Sequence, residues 1–149
     1  MTETPLHYRV SVAAPVQRVW EALTTSEGTR ATLYGSSIES DFRVGGLLEF
    51  VGHTEAGERV VQVYGEVQEF EAPRRFGYRQ HPGAVHNPRH AETSCRMTYL
   101  LTPVGEGATE LELTVDQWTP GNPAYAHAKA AYPESAFLAA VKAFAESDH

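Results

Sequence analysis

Residues 6–12 alternate strictly: Tyr8, Val10 and Val12 lie on one side, and His7, Arg9 and Ser11 on the other. That is the period of a half-buried strand. Ala13, Ala14 and Pro15 break the pattern. Proline suits a first helical position, where its missing N–H would be unpaired anyway. Val16, Val19, Trp20 and Leu23 follow at helical spacing and predict an amphipathic helix of roughly ten residues. Thr24, Thr25 and Ser26 offer capping hydroxyls, so a second short helix is predicted to run to about Tyr34.

Strands then follow quickly. Residues 38–42 alternate, Val44, Gly45 and Gly46 read as a hairpin turn, and residues 47–51 form its return. Residues 60–70 predict a long strand in which Gly65 marks a bulge or a close backbone approach. Residues 74–81 place Phe76 and Tyr78 on one face. In residues 94–102, Cys95, Met97, Tyr99 and Leu101 oppose Ser94, Arg96, Thr98 and Leu100. Residues 109–118 alternate most cleanly, with Leu111, Leu113 and Val115 against Glu110, Glu112, Thr114 and Asp116.

The pattern changes at the C-terminus. Residues 124–131 are alanine-rich, and Pro133 either starts or kinks a helix. Phe137, Ala140, Val141 and Phe144 then recur three and four apart, an apolar stripe that must dock onto something. Strands flanked by helices indicate α+β architecture. The terminal helix is the one sizeable cover for the inner face of a bent antiparallel sheet. Neither a linker nor an internal repeat divides residues 1–149, so a single domain is expected.

Composition narrows the function. A net charge of -7 argues against nucleic acid and anionic membrane as partners. No apolar run approaches the ~20 residues that cross a bilayer, and the first residues lack a signal-peptide pattern. Cys95, the sole cysteine, excludes an internal disulfide and suits a reducing compartment. A cytoplasmic location is the expectation.

Against this background, residues 12–23, VAAPVQRVWEAL, resemble the opening of START-like (SRPBCC) proteins, in which a strand ends at an alanine-proline step and a helix with a V-W-x-A-L pattern begins. Residues 41–46, DFRVGG, resemble the F-x-x-G-G hairpin of that group, and residues 65–76, GEVQEFEAPRRF, its glycine-led strand and turn. Together they are similar to the branch named after the activator of Hsp90 ATPase homologue. The resemblance implies a helix-grip fold: a curved antiparallel sheet wrapped around a long C-terminal helix, with two short helices after the first strand and a cavity between sheet and helix. It implies no reaction, since members include carriers, receptors, cyclases and proteins of no known activity. Many relatives carry a tryptophan where this chain reads Thr32-Leu33-Tyr34-Gly35-Ser36, and residues 119–132 do not match the family pattern.

In such a cavity, Phe50, Tyr78, Gln80, Met97 and Tyr99 would face inward. Tyr34 and Trp118 would stand at its ends, and Phe137 and Val141 would close it from the helix. A mainly apolar pocket with a few hydroxyls and amides is the usual form of a small-molecule site. The alternative is that the same side chains fill a solid core.

Catalysis would need an inward acid or base. Glu66 and Glu69 fall on opposite faces around Gly65, and Glu66 with Tyr64 is the best pair for a general base and its partner. Residues 81–90, HPGAVHNPRH, gather His81, His86 and His90. Pro88 disfavours the helix that would align two of them for a metal, so a polar loop over or beside the cavity mouth is expected, with neither metal nor cofactor; a flexible loop bent around an ion and a lid whose histidines touch a ligand are the lesser readings. Cys95 lacks a catalytic signature and reads as an inert buried thiol. The expectation is a binding domain for a small apolar or amphipathic molecule. A cyclase- or hydrolase-like enzyme and a co-chaperone-like interaction module are the alternatives, and a homodimer would share the latter's exposed apolar patch.

Overall fold

The computed structural model describes residues 4–33 and 35–147. Strand β1 (Leu6–Val12) leads into helices α1 (Val16–Thr24) and α2 (Ser26–Thr32). Strands β2 (Ser37–Ser40), β3 (Leu47–His53), β4 (Arg59–Glu71), β5 (Arg75–Pro82), β6 (Cys95–Pro103) and β7 (Thr109–Asp116) then form a continuous meander. Strand β1 pairs with β7, so one antiparallel sheet runs β1-β7-β6-β5-β4-β3-β2. Helices α3 (Pro123–Ala131) and α4 (Ala136–Glu146) complete the chain. The architecture is the expected α+β helix-grip.

The alternation of β1 and β7 sets which face is buried. Leu111, Leu113 and Val115 are buried, as are Leu6 and Tyr8, which pair with Val115 and Leu113, and Val12, which pairs with the buried Thr109. The other face carries ion pairs. Arg9 meets Glu110 and Glu112, Arg59 reaches Glu39 and Glu49 at 2.9 Å each, and Arg96 grips Asp116 at 2.8 and 2.6 Å.

Pro15 is the cap residue that precedes α1, in extended backbone at φ -62° and ψ 154°, one place before the position its fixed φ predicts. Thr25 caps α2 as expected, its hydroxyl accepting from the Gly28 amide at 3.1 Å. Pro133 lies in the break between α3 and α4. Helix α3 has its own start signal, the Asn122 side chain accepting from the Ala124 amide at 3.0 Å with Pro123 in the first turn. Helix α4 buries Leu138, Val141, Phe144 and Ala145 and packs on α1, α2 and β1. Arg18 of α1 stacks its guanidinium 4.2 Å over the Phe144 ring and donates to the Phe144 carbonyl at 3.3 Å.

Strand β4 is irregular at places its composition does not mark. Phe50 pairs with Val63 and Val51 with Val61, so Gln62 is an extra residue, a bulge. Val67 pairs with Tyr78 and Glu69 with Gly77, so Gln68 is a second. Gly65, between them, is a close approach: a Cβ there would stand 1.7 Å from the Arg79 carbonyl oxygen. The Gln68 bulge also brings Glu69 onto the outer face beside Glu66, where it pairs with Arg75 at 3.4 Å. The sequence expectation of opposite faces for the two glutamates is thereby corrected.

Candidate functional site

The buried face of the sheet is divided into two regions. Near α1 it is solid: Phe76 packs among Trp20, Phe42 and Phe70, with centroids 5.7 to 6.2 Å away. Toward α3 and the start of α4 it is hollow, with a cavity of about 490 Å³. Both sequence alternatives, core and pocket, are therefore present on one surface.

Strand alternation supplies the floor. Phe50 on β3, Tyr78 and Gln80 on β5, Met97 and Tyr99 on β6, and Leu113 and Val115 on β7 all line the cavity. Trp118 stands just beyond β7, where Gln117 takes φ 51° and ends the strand. Its indole N–H donates to the Val115 carbonyl at 3.2 Å. Phe137 closes the cavity from α4 and meets the Tyr99 ring edge-on at 6.1 Å. Val141, one turn further, is wholly buried in the core and takes no part in the lining. Tyr34 lies outside the described residues.

Further lining residues were not anticipated. The Gln62 bulge turns both Gln62 and Val63 toward the cavity, which plain alternation forbids. Tyr8 from β1, Leu33 and Ser36 from the segment before β2, and Ala124 and Ala128 from α3 also contribute. Helix α3 was readable from its Asn-Pro start but has no apolar stripe and buries no residue. It is held by Tyr125, packed 5.1 Å from Trp118, and by Tyr132, whose hydroxyl donates to the His7 carbonyl.

No aspartate, glutamate, lysine, arginine or histidine lines this cavity among the described residues. Its polar groups are hydroxyls, amides and the Cys95 thiol. Burial raises the Tyr78 and Tyr99 hydroxyls well above the ordinary tyrosine value, and the two interact with one another. Burial likewise pushes the Cys95 thiol from 9.0 up to about 12. At neutral pH the wall is therefore uncharged and hydrogen-bonding.

These shifts predict alkaline instability. Each group holds its proton more tightly folded than unfolded, so its contribution is complete below the unfolded value and is lost as pH rises through the folded one. For Cys95 that window runs from 9.0 to about 12. The melting temperature should hold up to its lower edge and then fall. Absorbance at the phenolate band should show Tyr78 and Tyr99 ionising only with unfolding; early ionisation of all the tyrosines would contradict their burial.

The expected catalytic pair lies elsewhere. Glu66 is exposed, and Tyr64 sits on the same outer face, its hydroxyl 2.6 Å from the His90 Nδ1. The Tyr64 ring stacks on His81 at 4.9 Å, and the His81 Nδ1 donates to the His90 carbonyl at 2.9 Å. His86 instead hydrogen-bonds the Gln62 side chain. His81 and His90 are thus joined to each other and to Tyr64 while His86 is engaged apart from them, and no group of three or more His, Cys, Asp or Glu among the described residues could hold a metal ion. The histidine loop walls a second hollow of about 440 Å³ that abuts the cavity.

The model of a family described as activator of Hsp90 ATPase homolog 1-like protein matches residues 13–136. Among solved structures, a protein of Mesorhizobium loti is 20% identical, with 95% of this chain and 96% of that one covered and a TM-score of 0.69. The Aha1 dimer of Colwellia psychrerythraea is 17% identical, with 96% of each chain covered and a TM-score of 0.66. An HSP90 activator of Plasmodium falciparum is 19% identical, with 91% of this chain and 82% of that one covered and a TM-score of 0.61. At these identities the likeness is one of fold. None of the curated proteins matches. No helix among the described residues is long and apolar enough to cross a membrane.

Proposed function

Starting from the fact that the chain belongs to the activator of Hsp90 ATPase homolog 1-like family, we propose that it binds a small apolar or amphipathic molecule in the cavity between the sheet and helices α3 and α4. One observation carries this reading. Tyr78 and Tyr99 are 3% and 2% exposed, yet among the described residues their hydroxyls have only one another as partners. A buried hydroxyl without a full complement of hydrogen bonds costs about 1–3 kcal/mol. A solid core would place apolar rings there; a ligand with an acceptor group would use the donor these phenols leave over. The volume falls in the range of small-molecule sites.

The enzyme alternative lacks support in the lining. General acid–base chemistry works best with a group whose pKa lies near the working pH. The ionisable groups lining this cavity, tyrosines and a thiol, include Tyr78, Tyr99 and Cys95, whose values burial raises further. For the interaction alternative, Val44 and Leu47 stand exposed on the β2–β3 hairpin at 64% and 60%. Two side chains on one turn make a smaller patch than the several hundred Å² of a docking surface.

The test is titration with the uncharged dye N-phenyl-1-naphthylamine, whose emission rises in apolar surroundings. One equivalent is expected to bind the folded protein, and Glu66→Gln is expected to bind it equally well. Absence of saturable binding, or binding only to thermally unfolded protein, would remove the carrier reading. Native mass spectrometry of the purified protein gives an independent check through any small molecule it retains.

A further inference from the structure

The two hollows share a wall. Gln62, Val63, Gln80, Cys95 and Ala124 border both, so the inner cavity and the hollow beneath the histidine loop are neighbours with a common partition. The inner side is faced by aromatic rings. The outer side is faced by Pro82 and Pro123 and by His86, Asn87, Thr93 and Asn122, so a few amides, an imidazole and a hydroxyl stand among apolar carbons.

Asn122 and Thr93 are engaged with the backbone, but several other polar atoms of the partition and the outer wall lack a partner among the described residues. Gln62 Oε1 accepts from the His86 Nε2–H, and the Gln62 Nε2–H groups have no partner among the described residues. The Gln80 side chain, half-buried, has no hydrogen-bond partner among the described residues. Asn87 uses its Oδ1 to accept from the Arg89 amide at 2.8 Å, and its side-chain N–H groups have no partner among the described residues. The charged residues on the same loop, Arg89 and Glu92, satisfy each other at 2.7 Å and border neither hollow.

We infer that the two hollows are one bipartite site for an elongated, uncharged molecule: a flat apolar or aromatic end seated against Tyr78, Tyr99 and Phe137, and a tail bearing hydroxyls or amides that passes Gln62 and Gln80 to end at His86 and Asn87. This rests on the carrier reading of the inner cavity and goes beyond it in ligand class. Among the described residues, neither compartment offers a carboxylate, ammonium or guanidinium to pair with a ligand's charge. Taking a charge out of water without a partner is strongly unfavourable. A tail rich in neutral donors and acceptors meets amides that otherwise go unmatched. The His86–Gln62 hydrogen bond ties the partition to the outer wall, so a tail that passes Gln62 replaces it with contacts of its own.

Three probes that share one ring system separate the possibilities by calorimetry: 2-naphthol, 2-naphthyl β-D-glucoside and 2-naphthyl sulfate. The glucoside is expected to bind about tenfold more tightly than naphthol, and the sulfate at least about tenfold more weakly than the glucoside. His86→Ala is expected to bring the glucoside-to-naphthol ratio close to one. That ratio is measured on a single protein sample, so partial unfolding would lower both affinities alike. Failure of all three probes to bind overturns the inner-cavity reading and this inference with it. Binding of naphthol with no gain from the glucoside, sulfate binding as tight as the glucoside's, or an unchanged ratio in His86→Ala overturns the bipartite site alone.

Discussion

Replacing Phe76 with alanine is expected to lower the unfolding free energy by about 3–5 kcal/mol, the range for truncating a buried aromatic side chain. Phe76 is 1% exposed and sits at the centre of the solid half of the concave face. Five rings surround it, those of Trp20, Phe42, Phe70, Tyr78 and Tyr99, with the closest centroid at 5.1 Å. They come from α1, the segment after β2, and strands β4, β5 and β6. They therefore cannot collapse together into the space left behind. Domains of this size have total stabilities of about 5–15 kcal/mol, so the variant would keep a small fraction of its margin or none. Urea unfolding should show a lower midpoint at an unchanged slope. A loss of under about 1 kcal/mol would mean that the cluster relaxes and that the two halves of the concave face are not mechanically distinct.

Phe76 was legible because a strand writes its buried face into every second residue. The same rule found Tyr78, Met97, Tyr99, Leu113 and Val115, which stand on β5, β6 and β7 where pairing is regular. It failed on β4. A bulge inserts one residue and reverses the phase beyond it, and glutamine at positions 62 and 68 has no property that announces this. The phase across Gly65 therefore misplaced Glu69 and left out Gln62 and Val63. The part of helix α3 in the cavity wall escaped for another reason. Its wall residues, Ala124 and Ala128, are too small to leave an apolar stripe, and the helix touches the cavity without burying a face. The break at Pro133 lets α3 and α4 close the hollow from two directions, where one straight helix would have covered it along a single line. Periodicity thus reveals the floor of the site and, through Phe137, its α4 cover, and is silent about the α3 wall.

The floor is therefore the place to block it. Val115→Trp is expected to weaken binding of N-phenyl-1-naphthylamine by at least about a hundredfold, or about 2.7 kcal/mol. Val115 is 5% exposed and lines the cavity from β7, which is paired on both sides, with Leu6 of β1 and Met97 of β6. A strand held in that way cannot swing outward, so the indole must enter the hollow. Forcing extra methylenes into a filled core costs about 1–3 kcal/mol. Here the space is open, and the melting temperature should fall by only a few degrees, or rise if the indole packs well. The combination is the informative result: retained stability with lost binding marks a cavity that the fold leaves vacant for something else. Lost stability with lost binding would instead mean that Val115 was filling a packed core. Unchanged dye affinity would place the dye outside this cavity altogether, and the role given to the Tyr78 and Tyr99 hydroxyls would go with it.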